Sequence, residues 1–375
     1  MVITNGVVFN DDGIFREKDV EVKNGVITAV GDNLSSNDHE IVDAKNGYVV
    51  PGLVDIHTHG SMGADFSDGT PEAFQTISRF QLSCGITSFL GTTMSLPEKQ
   101  ISNVCKTARP FINAIHPDQA VIRGIHLEGP FFSQEKRGAQ NAEYIINPDF
   151  AMFMHWYESS GEGVRQVAVA PELEDGLEFI KAAAPLCTVS LAHSASDYET
   201  ACRAFSLGAS QVTHLFNGMS PYNHREPGIV GAAFDSNAYV ELITDGVHIH
   251  PSVVRAVFKL FGDDRVCLVS DSMRACGLSD GQYDLGGQLV TVTGRVATIA
   301  NSLAGSMTTL TDCMRRSVEF GVPLEKALKA ATINPAKSAG LDDVGSLTVG
   351  KRADILLLNQ ELLIEHILLG SIQIT

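Results

Sequence analysis

The stretch PGLVDIHTHG, residues 51–60, decides the fold: an apolar run that ends on His57 and His59 and stops at Gly60. A short, continuously apolar run reads as a strand buried on both faces of a parallel sheet. Alternate residues of a strand face the same side, so the two imidazoles project together. Working outward, the figure recurs. Apolar runs near 50–56, 86–92, 121–127, 165–170, 187–192, 210–214, 239–244 and 265–270 give eight candidate strands. Several end on an isolated polar group: Glu128 in IHLEGPF, His193 in SLAHSAS, His214 in VTHLFNGM and Asp271 in CLVSDSM.

Helical stretches separate many of these runs. Thr70 followed by Pro71 predicts a helix start, and Gly85 closes that helix before the second strand. A further helix is predicted from about Asp197 to Leu207, stopping at Gly208. Eight parallel strands with covering helices predict an α/β chain built on a (β/α)8 TIM-like barrel. An open doubly wound sheet is the alternative, but no phosphate-loop or dinucleotide fingerprint favours it. At the ends of the chain the pattern changes. VEVKNGVITAVG alternates about Asn24-Gly25, a hairpin signal, and VGSLTVGKRADILLLN (344–359) has the same character. Neither piece buries a sheet face alone. The expectation is a small β-sandwich domain built from both termini, residues 1–50 plus 342–375, around a barrel spanning 51–341.

Composition excludes other classes. The 375 residues are 44% hydrophobic and 19% charged, as in globular proteins, and the net charge of −17 argues against a nucleic-acid partner. No apolar run is long enough to span a membrane. The opening MVITNGVVFNDD lacks the basic and apolar regions of a secretory signal. Seven scattered cysteines without a CxxC pair fit reduced thiols and a cytoplasmic location.

In a barrel, the C-terminal strand ends converge on one rim. His57, His59, Glu128, His193, His214 and Asp271 would then share one mouth. Singly, a histidine after a strand reads as a hydrogen-bonded rim residue, and a carboxylate before Gly or Ser as a turn or cap. Jointly they read as a metal site. Imidazole and carboxylate donors without thiolate suit a zinc, ferrous iron or manganese ion. Such an ion acidifies water and polarises a carbonyl, the chemistry of hydrolysis. Asp271 is the natural proton shuttle. The other histidines (39, 116, 126, 155, 224, 248, 250 and 366) have no common placement.

These residues resemble the amidohydrolase superfamily, and within it the N-acetylglucosamine-6-phosphate deacetylases. The broad signals are PGLVDIHTHG, Asp271 in LVSDSM, and NPAKSAGL with GSLTVGKRADILLLN (334–359). The narrower ones are HLEGPF, KRGAQ, LAHSAS, THLFNGMS, REPGIVGAAF, DGVHIHP, SDSMRACGL with DGQYDLGG, and LAGS (303–306), in order along nearly the whole chain. The resemblance implies a metal-dependent enzyme that hydrolyses the N-acetyl group of N-acetyl-D-glucosamine 6-phosphate to the free amine and acetate. N-acetylgalactosamine 6-phosphate, or another N-acyl amino sugar, is the alternative substrate. It implies Glu128, His193 and His214 as ligands of a primary ion. His57 and His59 match the pair that completes a second site in some members while others run on one ion, so one or two ions per chain are implied. Asn217 and Gly218 match phosphate contacts. Arg225 matches an arginine reaching the phosphate from the neighbouring subunit of a homodimer, and His248 matches a sugar contact. Gln140 stands where some members place a substrate-binding histidine. Strand four ends in Pro171-Glu172, without the bridging lysine of dihydroorotase-like relatives.

Overall fold

The computed structural model describes residues 1–34, 40–300, 302–370 and 372–374, so His39 lies outside the described residues. Its centre is an eight-stranded parallel sheet in chain order: β1 (Leu53–Thr58), β2 (Ile86–Thr92), β3 (Val121–Leu127), β4 (Val164–Val169), β5 (Thr188–Leu191), β6 (Gln211–Val212), β7 (Tyr239–Leu242) and β8 (Val266–Leu268). Past β8 the chain returns to β1. The Asp271 amide donates to the His57 carbonyl and the His59 amide to the Ser272 carbonyl, both at 2.9 Å. The sheet therefore curls to a barrel, and the open-sheet alternative falls.

Every residue of β1, β2 and β3 is buried, as expected for strands with helices outside and side chains within. The two helices read from their caps form as predicted. Thr70 accepts from the Ala73 amide to start Pro71–Ser83, and Asp197 accepts from the Thr200 amide to start Tyr198–Ser206. A left-handed Gly85 (φ 81°) lets the first helix turn straight into β2.

One boundary differs from the sequence reading. The run near 50–56 is two strands: Tyr48–Pro51 pairs antiparallel with Ile355–Leu358, and β1 begins only at Leu53. Gly52 is the joint. A Cβ there would fall 2.2 Å from Thr87 Oγ1, so the chain crosses β2 too closely for any side chain.

The sheet containing Tyr48–Pro51 joins both ends of the chain, with strands Val2–Phe9, Phe15–Lys23, Val26–Gly31 and Ile364–Leu369. Asn24 (φ 53°) and Gly25 (φ 78°) make the expected hairpin turn. The sheet curls until the Ile27 amide reaches the Lys351 carbonyl (2.9 Å), closing over Ile3, Val8, Val20, Ile355 and Leu368. A further antiparallel sheet of four strands, between Gly281 and Leu303, follows β8. The sequence reading placed no strands there, although QLVTVT alternates and Gly294 (φ 61°) turns the hairpin.

The barrel floor is unusual in being polar. His57, His126, Gln166, Gln211 and Glu241 are all fully buried inside it. No helix among the described residues is long and apolar enough to cross a membrane.

Candidate active site

The six polar residues at strand ends meet at the mouth of the barrel. His193 (φ 43°), His214 (φ 31°) and Asp271 (φ 47°) hold left-handed backbone just past β5, β6 and β8. That conformation is uncommon for residues with a Cβ. It breaks each strand sharply and turns the side chain over the opening, a local cost concentrated where function needs it.

Glu128, past β3, is the hub. Its Oε1 lies 3.0 Å from His214 Nε2 and 3.3 Å from His193 Nε2, and its Oε2 lies 3.3 Å from His59 Nε2. Asp271 Oδ1 stands 3.4 Å from His57 Nε2 and 3.3 Å from His59 Nε2. Two donor groups result: Glu128 with His193 and His214, and Glu128 with His57 and His59. Glu128 is shared by both.

Facing nitrogens show what this arrangement suits. His193 Nδ1 lies 2.9 Å from the Lys136 carbonyl, and His57 Nδ1 lies 2.8 Å from Glu241 Oε2. Both partners are acceptors, so each Nδ1 carries a proton and each Nε2 is the nitrogen left to meet the site. Yet His193 Nε2 faces His214 Nε2 at 3.1 Å, and His57 Nε2 faces His59 Nε2 at 3.3 Å. Ring nitrogens so close need a hydrogen or a cation between them, and the imidazole–carboxylate set fits zinc, ferrous iron or manganese.

Electrostatics say the same. Burial alone would raise Glu128 and depress His57 and His59, but mutual attraction overrides it. The surrounding imidazoles of His57, His193, His214 and His59 hold the Glu128 carboxyl well below its usual range. Against burial, Asp271, Glu241 and Glu128 lift His57 to about 9. His59 is lifted well above its ordinary value by Asp271 and Glu128. Burial likewise acts to raise Asp271, but His57 and His59 outweigh it and keep its carboxyl low, the ionised state a proton acceptor needs.

Above this floor lies a cavity of about 310 Å³, bordered by Gln140, Asn217, Gly218, His248, Met94 and Leu285 among others. Four of the five expected substrate contacts, Gln140, Asn217, Gly218 and His248, thus reach it. The Asn217 Nδ2 bonds the His214 carbonyl at 3.3 Å, and the His248 ring is held by Asp245 at 2.8 Å. Gln140 is engaged at both ends of its amide: Nε2 donates to Glu128 Oε2 and Oε1 accepts from the Ser95 amide, each at 2.7 Å. Arg225 does not border the cavity. It sits exposed on the loop after Ser220, its guanidinium 2.8 Å from His224 Nε2, and forms no ion pair with Glu226.

Sequence reasoning missed Glu241, which receives His57 from below, and the apolar wall of Met94, Phe216, Leu285 and Leu303. The one signal for Glu241 was a lone carboxylate inside the apolar run YVELIT.

The sequence pattern of the amidohydrolase family matches residues 48–371. The chain belongs to that family. This amidohydrolase is 35% identical to an N-acetylglucosamine-6-phosphate deacetylase of Lysinibacillus sphaericus, over 98% of this chain and 95% of that one. It is 32% identical to an N-acetylgalactosamine-6-phosphate deacetylase of Escherichia coli O157:H7, over 96% of this chain and 95% of the relative. Its fold superposes with a TM-score of 0.93 on a mutant N-acetyl-D-glucosamine-6-phosphate deacetylase of Mycobacterium smegmatis solved with N-acetyl-D-glucosamine-6-phosphate, at 29% identity over 100% and 98% of the two chains.

Proposed function

We propose that this amidohydrolase removes the acetyl group of N-acetyl-D-glucosamine 6-phosphate, giving D-glucosamine 6-phosphate and acetate. The observation that supports it most is the meeting of Glu128, His193, His214 and Asp271 beneath a cavity bordered by Asn217, Gly218 and His248. Near-full-length relatives with this activity support the same reading.

In this reading Glu128, His193 and His214 hold one divalent ion, and His57 and His59 with Glu128 hold a second. When bound, such an ion acidifies water and polarises the acetyl carbonyl. Asn217 and the Gly218 backbone amide receive the phosphate, and His248, steadied by Asp245, meets the sugar. Asp271 takes a proton from the attacking water and delivers it to the amide nitrogen as the C–N bond breaks. An amine anion is too basic to leave without that proton. Arg225, outside the cavity of its own chain, reaches the phosphate of a neighbour in a homodimer, where its planar fork suits two phosphate oxygens. Seven free thiols fit the reducing cytoplasm.

Steady-state kinetics on the gluco and galacto phosphosugars, with zinc, ferrous iron or manganese restored, test the reading. The gluco epimer is expected to give the higher kcat/KM. A clear preference for the galacto epimer, or no deacetylation with any of the three metals, overturns it.

A further inference from the structure

We propose that Glu241, on the floor of the barrel, is a positioning residue that secures the second ion. The inference rests on the reading of His57 and His59 as an ion-binding pair, and not on which sugar is the substrate.

Glu241 projects from β7 and is fully buried. Its Oε1 accepts from Gln166 Nε2 at 2.7 Å and from Gln211 Nε2 at 2.6 Å. Its Oε2 lies 2.8 Å from His57 Nδ1 and 3.3 Å from the His214 amide. Four donors thus meet the four lone-pair sites of one carboxylate. The carboxylate has no capacity left for an ion of its own, although His57, His126 and Glu241 are close enough together to suggest one.

The surrounding amides fix its role as acceptor. Ser338 Oγ donates to Gln211 Oε1. Gln211 Nε2 then donates to Gln166 Oε1 (3.0 Å) as well as to Glu241. Gln166 Nε2 in turn spends its second hydrogen on His126 Nε2 at 3.2 Å. Every amide in this chain points a donor at Glu241, so the hydrogen between Glu241 and His57 must come from His57 Nδ1. That leaves His57 Nε2 as the ring nitrogen free to take an ion, aimed at His59, Glu128 and Asp271. A carboxylate behind a ligating imidazole fixes its tautomer and strengthens it as a donor.

The same Oε2 atom also receives the backbone of His214, a residue of the other donor group. One buried oxygen therefore holds a member of each group. The two are held differently. His57 is bound through its ring, and His214 only through its amide, so loss of the charge at 241 weakens the His57 ring as a donor and leaves the His214 ring without a direct change.

The experiment counts ions on the full-length chain. Metal-free protein is titrated with cobalt(II), followed by its visible absorption and by elemental analysis after desalting. Wild type is expected to take two ions per chain. Glu241→Gln is expected to keep the first within a few-fold and to bind the second about 10–100-fold more weakly. A purely structural role would instead lower both affinities together with the melting temperature. A wild type that saturates at one ion, or a Glu241→Gln protein with both affinities unchanged, overturns the proposal. Should Glu241→Gln not fold, nitrogen-15 histidine spectra of the wild-type holoprotein decide it: a proton on His57 Nδ1 supports the proposal, and its absence overturns it. None of these readouts uses deacetylation, so loss of the activity reading would leave the result standing.

Discussion

Gln140 and Glu128 are joined by a 2.7 Å hydrogen bond from Nε2 to Oε2, while the Gln140 carbonyl is tied to the Ser95 amide. The glutamine is therefore braced between a loop backbone and the hub carboxylate. Gln140→Leu should leave a buried carboxylate oxygen short of a donor, costing about 1–3 kcal/mol of stability in the metal-free chain. Because the loss falls on Glu128, kcat is expected to fall more than KM rises. A change confined to KM would make Gln140 a sugar contact only.

Asp271→Asn should lower kcat by about 10²–10⁴-fold. The ion content should stay at the wild-type value, because Glu128, His193 and His214 make their group without it. Steady-state rates paired with elemental analysis check both halves. Near-normal turnover would remove Asp271 from proton transfer.

Gly218→Ala removes no functional group, yet it should be damaging. The residue sits at φ 60°, and a Cβ would approach His193 Nδ1 to 2.8 Å. The methyl would push the ring off the Lys136 carbonyl that fixes its tautomer. Ion affinity should fall about 10–100-fold, as when an orienting partner of a ligand is lost. Isothermal titration of the metal-free variant with zinc reads it directly.

Stripping the ions with a chelator should abolish turnover, and adding zinc, iron or manganese should restore it. Retention of the ion depends on acidity in a fixed direction. Each ligating Nε2 must be bare, so protons compete with the ion and affinity rises with pH. Equilibrium dialysis across a pH series should show the ion released on the acid side.

The thiols give a prediction away from the site. Burial pushes Cys105 and Cys187 up to about 12, and raises Cys267, Cys276 and Cys313 as well. Near pH 8 roughly one Cys105 in ten thousand is a thiolate, and burial raises Cys84 too, so alkylation of the native chain should be fastest at partly exposed Cys202. The sign for stability follows. Folded thiols titrate above unfolded ones, so their contribution is intact below the unfolded value near 9 and is lost as pH climbs toward 12. Urea midpoints measured across that alkaline range check it.

The rim residues were legible because each ends an apolar run, and a strand end in a barrel has only one place to point. Glu241 was not, because it lies inside its run, where a lone carboxylate reads as an anomaly until Gln166, Gln211 and His57 are seen to surround it. The split at Gly52 was hidden for a similar reason: Val49 and Val50 are as apolar as Leu53 and Val54, but they pair with residues some three hundred positions away. Leu285 and Leu303 reach the cavity through a small sheet whose alternation shows a hairpin but not what it leans on. Arg225, expected to reach a phosphate in the neighbouring subunit, sits exposed outside the cavity of its own chain, and no linear pattern tells which cavity an exposed loop serves.

The seam between the two chain ends sets the order in which this molecule is finished. Tyr48–Pro51 leaves the ribosome roughly three hundred residues before Ile355–Leu358, its antiparallel neighbour. Throughout that interval the nascent edge stands open beside a growing barrel, a ready template for wrong pairing. Truncation upstream of Ile355 would make that state permanent. Such a chain should aggregate during expression even though the mouth of the barrel, with all six of its polar side chains, is fully encoded.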